Sequence, residues 1–268
     1  MPSLIAQVAV VAVTATAAVT ASLAEASREV TPSVSISECT DEHHPAPLQI
    51  IDGLELSSGT HKFPSKTGIG ACWTSSALHL TYDAGTDKFL RNDYRTCNSE
   101  TYNQEVVELF ISARQPRVVA AGDNNAVAPK VDYVTRYLEV EVTPQDTLYV
   151  AHIHNPYGNG TDKKNTLIDC GLSGIDHRTE LNSDEDYYVA NLTIPWSTIN
   201  GHNSDAVDHS AVGAAAGDRY LGNFFRVMMA HNVSMCEPDT CFYGAWSPTL
   251  AVPPQFHISK LFGEIKLV

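Results

Sequence analysis

The chain has 268 residues, with 17 Lys plus Arg against 31 Asp plus Glu, for a net charge of −14. So acidic a balance disfavours nucleic acid and anionic membrane as partners and leaves neutral ligands and cations open. Residues 4–23 are apolar and small, and Ala24-Glu25-Ala26 then supplies the small residues a signal peptidase reads, so residues 1–26 are expected to be a secretory signal. No later run is long and apolar enough to span a bilayer. Residues 27–47 are polar, with Pro32, Pro45 and Pro47, and read as a flexible leader pinned at Cys39. The Asp41-Glu42-His43-His44 cluster within it is expected to be solvated rather than metal-bound.

From residue 48 to 268 short runs of alternating or fully apolar character are separated by Gly, Pro, Asn and Asp, with no long helical stripe. The strands are expected at 77–82, 105–112, 137–143, 147–153, 186–194, 220–231 and 262–267. This pattern predicts an all-β fold, a β-sandwich of mainly antiparallel strands in one domain, with long loops tied by disulfides. Loops fall at 86–104, 114–130, 155–165 and 200–217. In the first of them Tyr94 and Tyr102, with Asn and Arg beside them, suit either hydroxyl-rich ligands or ordinary packing.

Alternation sorts residues by face. In 137–143, Leu138, Val140 and Val142 share one side, leaving Tyr137, Glu139, Glu141 and Thr143 on a side that is wet or binds a ligand. In 186–194, Tyr188, Ala190, Leu192 and Ile194 point inward and Asn191 outward, and Trp196 continues the inward parity. Glu108 sits with Val106 and Phe110, and Arg226 with Phe224 and Met228. A charge among apolar neighbours needs a partner, so Glu108 and Arg226 are expected to pair across the sandwich or to face a shared cleft.

Six cysteines in a secreted chain imply a disulfide framework. Cys236 and Cys241 enclose a turn and are the expected pair, while Cys39, Cys72, Cys97 and Cys170 remain unsorted. Sequons at Asn159, Asn191 and Asn232 are candidate glycosylation sites. The stretch 241–268 places Phe242, Tyr243, Trp246, Phe256 and His257 among prolines ahead of the closing strand. Its rings either plug the β-core or stay open to a ligand.

The order of Trp73 before Ala77-Leu78-His79-Leu80, Glu105 to Ile111, Tyr137 to Pro144, Ile194-Pro195-Trp196, Asn223-Phe224-Phe225-Arg226, Ala245-Trp246-Ser247-Pro248, Phe256-His257 and Phe262-Gly263 resembles the family 9 carbohydrate-binding module, in its stand-alone, DOMON-like branch. The resemblance implies a β-sandwich that binds a plant or cell-wall polysaccharide, or its ends, without cleaving it. It implies an aromatic clamp, for which Trp246 matches one member and Trp73 the other, with Tyr94 or Tyr102 as substitutes for Trp73. Flat rings suit the C–H face of a pyranose, while hydroxyls need fixed donors and acceptors at the rim. On that ground Trp246 and Tyr243 are candidates for the sugar platform, and Glu139, Arg226, Asn223 and His257 for the rim. No cofactor is expected to be required, although some modules of this family hold a structural calcium. A monomer with an oligosaccharide or polysaccharide partner, secreted and extracellular, completes the expectation.

Three other readings stay open. A glycoside hydrolase acting on O-glycosyl bonds would need Glu108 to converge with Glu139 or Glu141. A haem or metal domain of the DOMON type would draw on Met228, Met229, His231, Met235 or the His152-x-His154 pair. A structural wall protein would keep the fold without the affinity.

Overall fold

The computed structural model describes residues 31–41, 46–85, 89–115, 133–182, 184, 186–201 and 213–268. The expected signal segment and His43 and His44 lie outside these residues.

Among the described residues, fourteen strands form two sheets. They are β1 (Ser33–Ile36), β2 (Leu48–Asp52), β3 (Glu55–Leu56), β4 (Thr67–Trp73), β5 (Ala77–Ala84), β6 (Val106–Ser112), β7 (Arg136–Val142), β8 (Leu148–His154), β9 (Lys164–Leu167), β10 (Asp176–Asn182), β11 (Tyr187–Pro195), β12 (Arg219–Met229), β13 (Cys241–Ala245) and β14 (Gly263–Leu267). A short helix, α1 (Trp196–Asn200), follows β11. The larger sheet runs β1-β14-β12-β6-β7-β8-β9, with β13 beside β12 and β3 beside β13, and the smaller runs β10-β11-β5-β4-β2. Every pairing is antiparallel except β1 with β14. The expected all-β sandwich is therefore present, and each of the seven expected strands is found within a residue or two of its expected bounds.

Between the sheets lies the main core. Leu138, Val140 and Val142 of β7, Tyr188, Ala190, Leu192 and Ile194 of β11, and Phe224 and Met228 of β12 all enter it, as their alternation requires. Trp196 is fully buried there, stacked on Tyr220, with its indole N–H donating to the Thr74 carbonyl at 2.8 Å. Asn191 is exposed on the opposite side of β11.

Part of the segment read as a flexible leader is instead built into the fold. Ser33–Ile36 pairs in parallel with β14, and Cys39 is bonded to Cys72. Disulfides also join Cys97 to Cys170 and, as expected, Cys236 to Cys241. Among the described residues no helix is long and apolar enough to cross a membrane.

Candidate functional site

β6 and β7 lie at the centre of the larger sheet, and their outward side chains form two adjacent rows. One row reads Phe225, Glu108, Glu141, Tyr149 across β12, β6, β7 and β8, and the next reads Asn223, Phe110, Glu139, Ala151. The face carrying Glu139 and Glu141, expected to be wet or ligand-binding, is covered. Tyr137, Glu139, Glu141 and Thr143 are all buried, and a second apolar cluster that includes Val106, Phe110, Phe225, Phe256 and Phe262 packs around them. Alternation assigns a side chain to a face but says nothing of the loops that later close over it.

Three carboxylates meet under that cover. Glu108, Glu139 and Glu141 are 2%, 3% and 0% exposed, and one oxygen from each lies within 4.8 Å of the others. Oε1 of Glu108 is buried without a hydrogen-bond partner, and the Glu139 and Glu141 carboxyls hydrogen-bond each other. The Thr101 hydroxyl donates to Glu141 Oε2 at 2.5 Å. His257 Nε2 stands 3.8 Å from Glu139 Oε1, and its Nδ1 bonds the Tyr137 hydroxyl at 2.7 Å. Asn155 Nδ2 donates to that hydroxyl at 3.4 Å. Burial pushes the Glu139 carboxyl up to about 7 and holds those of Glu108 and Glu141 well above the ordinary carboxylate value. The Glu139 charge adds to the rise at Glu108, the Glu108 and Glu139 charges add at Glu141, and the Lys163 ammonium works against it at Glu108 and Glu139. Burial lowers His257 well below its usual value, with Lys163 adding to the effect, so the imidazole is neutral at pH 7. Tyr102, 40% exposed, lies edge-on to Tyr149 with ring centroids 6.2 Å apart, and both feel the Glu139 and Glu141 charges.

The residues expected at a sugar site divide between the two sides of the larger sheet. Glu139, His257 and Tyr243 lie on the outer side. Trp246 lies on the inner side, edge-on to Phe224 at 5.7 Å and packed on the main core. β13 explains the separation. Tyr243 pairs with Val227 and Gly244 with Arg226, so Trp246, two residues past Gly244, has the opposite parity to Tyr243 and cannot share a platform with it. Asn223 is fully buried, and its amide exchanges two bonds with the Ser247 backbone, at 2.6 and 2.9 Å. Trp73 is buried in β4 with its N–H donating to the Val268 carbonyl at 3.3 Å.

Arg226 is fully buried on the inner side, and its partner is Glu105 rather than Glu108, with both Nε and Nη2 2.8 Å from Glu105 Oε1. The register dictates this. Arg226 is opposite Val107 on β6, which puts it on the side of Glu105 and away from Glu108, whose own partner is Phe225. Nη1 also donates to Thr67 Oγ1 and the Gly85 carbonyl, at 3.0 and 2.6 Å, and the guanidinium lies against the Phe63 and Tyr188 rings. The arginine therefore bolts the two sheets together. Met228 and Met229 point to opposite sides of β12, each buried in packing, so they cannot ligate one haem.

An accessible cleft of about 440 Å³ opens where β12 ends, lined by Phe89, Leu90, Arg91, Leu181, Asp186, Met229 and Asn232. Met229 lies four residues along β12 from Phe225, the cross-strand partner of Glu108, which separates cleft and carboxylates by about 13 Å. Arg91 is held in place by Asn232 Oδ1 at 2.9 Å from Nη1 and Asp93 Oδ2 at 2.9 Å from Nη2. Its Nε is buried and has no hydrogen-bond partner. The sequence pointed to this loop through its Arg and Asn but to its tyrosines as the contacts. Phe89, Leu181 and Asp186 were missed because they come from a turn, the end of β10 and a second turn, far apart in the chain, and share no local pattern.

No family model matches the chain. Over 216 residues it is 29% identical to an extracellular protein of Arthroderma benhamiae, covering 77% of this chain and 80% of that one. Among solved structures, a candidate carbohydrate-binding protein from Bacteroides uniformis shares the fold with a TM-score of 0.59 at 15% identity, over 88% of this chain and 99% of that one. A family 9 carbohydrate-binding module from Caldicellulosiruptor kristjanssonii, solved with cellotriose, does so with a TM-score of 0.52 at 16% identity, over 88% and 93%. At these identities the likeness is one of fold, a β-sandwich that this chain shares with both structures.

Proposed function

We propose that this is an extracellular carbohydrate-binding protein that takes a plant or cell-wall polysaccharide, or its end, in the cleft at Phe89 and Arg91. The observation that carries the reading is the cleft itself, whose volume falls in the range of small-ligand sites and whose lining mixes an aromatic ring with Arg, Asp and Asn side chains. Phe89 and Leu90 offer an apolar floor for the C–H face of a pyranose, and Arg91, Asp186 and Asn232 supply donors and acceptors for its hydroxyls. The names of the structures that share the fold, and the extracellular relative, support the same reading. Glu108, Glu139 and Glu141 converge as a hydrolase would need, but within a covered cluster where no glycosidic bond can pass between them.

The test is retention of the purified protein on insoluble β-glucan, xylan and chitin, with affinity measured on soluble oligosaccharides of whichever polymer retains it. Phe89→Ala and Arg91→Ala should each weaken binding about tenfold or more, where tenfold is about 1.4 kcal/mol, with little change in melting temperature. Ser234→Ala removes the sequon at the cleft mouth while leaving Asn232 in place, and should bind at least as well as the parent. Binding untouched by both cleft substitutions, or no retention on any polymer, would overturn the assignment.

A further inference from the structure

We propose that the chain carries an N-linked glycan on Asn232 and that this glycan lies over the cleft at Phe89 and Arg91, where it competes with the polysaccharide. The inference rests on the reading of that cleft as a sugar site. Asn232-Val233-Ser234 is a sequon, and its asparagine is exposed and lines the cleft. Arg91 fixes which way the amide faces. Its Nη1 donates to Asn232 Oδ1 at 2.9 Å, so the carbonyl oxygen is turned to the guanidinium. Nδ2, the atom that takes a glycan, is then on the other branch of the amide, with no partner among the described residues. Glycosylation replaces one Nδ2–H by a bond to the sugar C1, the proton passing to solvent, while a polyprenyl diphosphate leaves C1 with its bonding electron pair. The carbonyl oxygen takes no part, so the Arg91 bond survives the modification.

The root of the glycan is held in place. Gln104 Nε2 donates to the Val233 and Ser234 carbonyls at 3.3 and 3.2 Å, the Cys236 N–H donates to the Asn103 carbonyl at 2.7 Å, and Cys236 is bonded to Cys241. The sequon is therefore clamped to the 89–104 loop, which supplies Phe89, Leu90 and Arg91 to the cleft. The first sugar ring starts from a fixed point on the cleft wall, and Phe89, Leu90 and Leu181 of the same cleft suit its C–H face. A ring tethered so closely is present at an effective concentration on the order of millimolar. Contacts too weak to retain a free monosaccharide then suffice to keep it over the cleft. The other two sequons lie elsewhere. Asn159 follows His154, at the end of β8 that aligns with the Ser112 end of β6, whereas Met229 of the cleft lies beyond the Val106 end. Asn191 is opposite Thr81 in the smaller sheet and accepts a bond from its hydroxyl at 2.8 Å.

The experiment uses the full chain secreted by a glycosylating host. Peptide mass mapping reads occupancy at Asn232 without any variant, and hydroxyl-radical labelling of Phe89 and Leu181 reads the cover over the cleft without any polysaccharide. Asn232 is expected to be occupied. Ser234→Ala, which removes the sequon and leaves Asn232, should raise the labelling of both residues several-fold. It should raise affinity several-fold as well, for oligosaccharides of whichever polymer retains the protein. Ser234 is exposed and its side chain makes no bond among the described residues, so this variant should fold. Ser234→Thr keeps the sequon and Thr161→Ala removes the one at Asn159, so both should match the parent. An unoccupied Asn232, equal labelling in the parent and in folded Ser234→Ala, or an affinity that loss of the glycan leaves unchanged would overturn the proposal. Labelling that rises in Ser234→Ala while no polymer retains either protein upholds the glycan over the cleft and overturns the polysaccharide reading instead.

Discussion

Arg226 and Glu139 are both buried charges placed by strand parity, and they have opposite fates. Arg226 finds Glu105, two aromatic faces and backbone carbonyls, which is the condition under which a buried ion is tolerated. Glu139 finds two more glutamates, and burial pushes its carboxyl up to about 7. A carboxyl raised in the folded state holds its proton there at pH values where the unfolded chain has lost it. Its stabilising share is therefore complete below the unfolded value near 4.3 and is lost as pH rises through about 7. Glu139→Gln should match the parent's melting temperature near pH 4 and exceed it at pH 8. A shift of this size is on the order of 3 kcal/mol, or several degrees in a domain this large. Beyond burial, the Glu139 charge raises the Glu108 and Glu141 carboxyls, so the difference between variant and parent reports relief of the whole coupled cluster. A parent as stable as the variant at pH 8 would show that the carboxylate has a charge partner in the protein.

At the scale of elements, β13 and β14 decide the role of Trp246. Gly263, the first residue of β14, lies against this ring, and a Cβ there would overlap the indole and crowd the Pro32 carbonyl. Trp246 is thus the wedge that closes β13 and β14 onto the main core, with Phe224 edge-on beside it. Trp246→Ala should cost about 3–5 kcal/mol, seen as a lower melting temperature, and Gly263→Ala should destabilise by the same contact from the other side. If Trp246→Ala leaves the melting temperature alone and abolishes sugar binding, the ring is a platform after all. β12 was legible as a strand because its eleven residues are rich in aromatic and branched side chains. β4 was not, since both its faces are buried and two glycines break the pattern, and β9 and β10 were not because they are mostly exposed.

Across the whole molecule the disulfides differ in the loops they close. Cys97–Cys170 spans 73 residues and ties the 89–104 loop to the region after β9, whereas Cys236–Cys241 spans 5. By loop entropy the first should contribute about 4 kcal/mol and the second about 2. Replacing Cys97 and Cys170 by Ser should therefore lower the denaturant midpoint more than the same change at Cys236 and Cys241. Equal losses would mean that the short bridge holds more than its own turn.

The sequence by itself determined the all-β class, the strands with a clean period of two, the inward side of each, the buried place of Trp196 and the Cys236–Cys241 bridge. These follow from local chemistry: alternation, turn residues and short loops. Tertiary structure alone decided which wall each face meets. It sealed the side of β7 that alternation left open, separated Trp246 from Tyr243, gave Arg226 to Glu105 by register, and assembled the cleft from Phe89, Leu181 and Asp186. Those outcomes depend on contacts between residues far apart in the chain, and no window of sequence contains them.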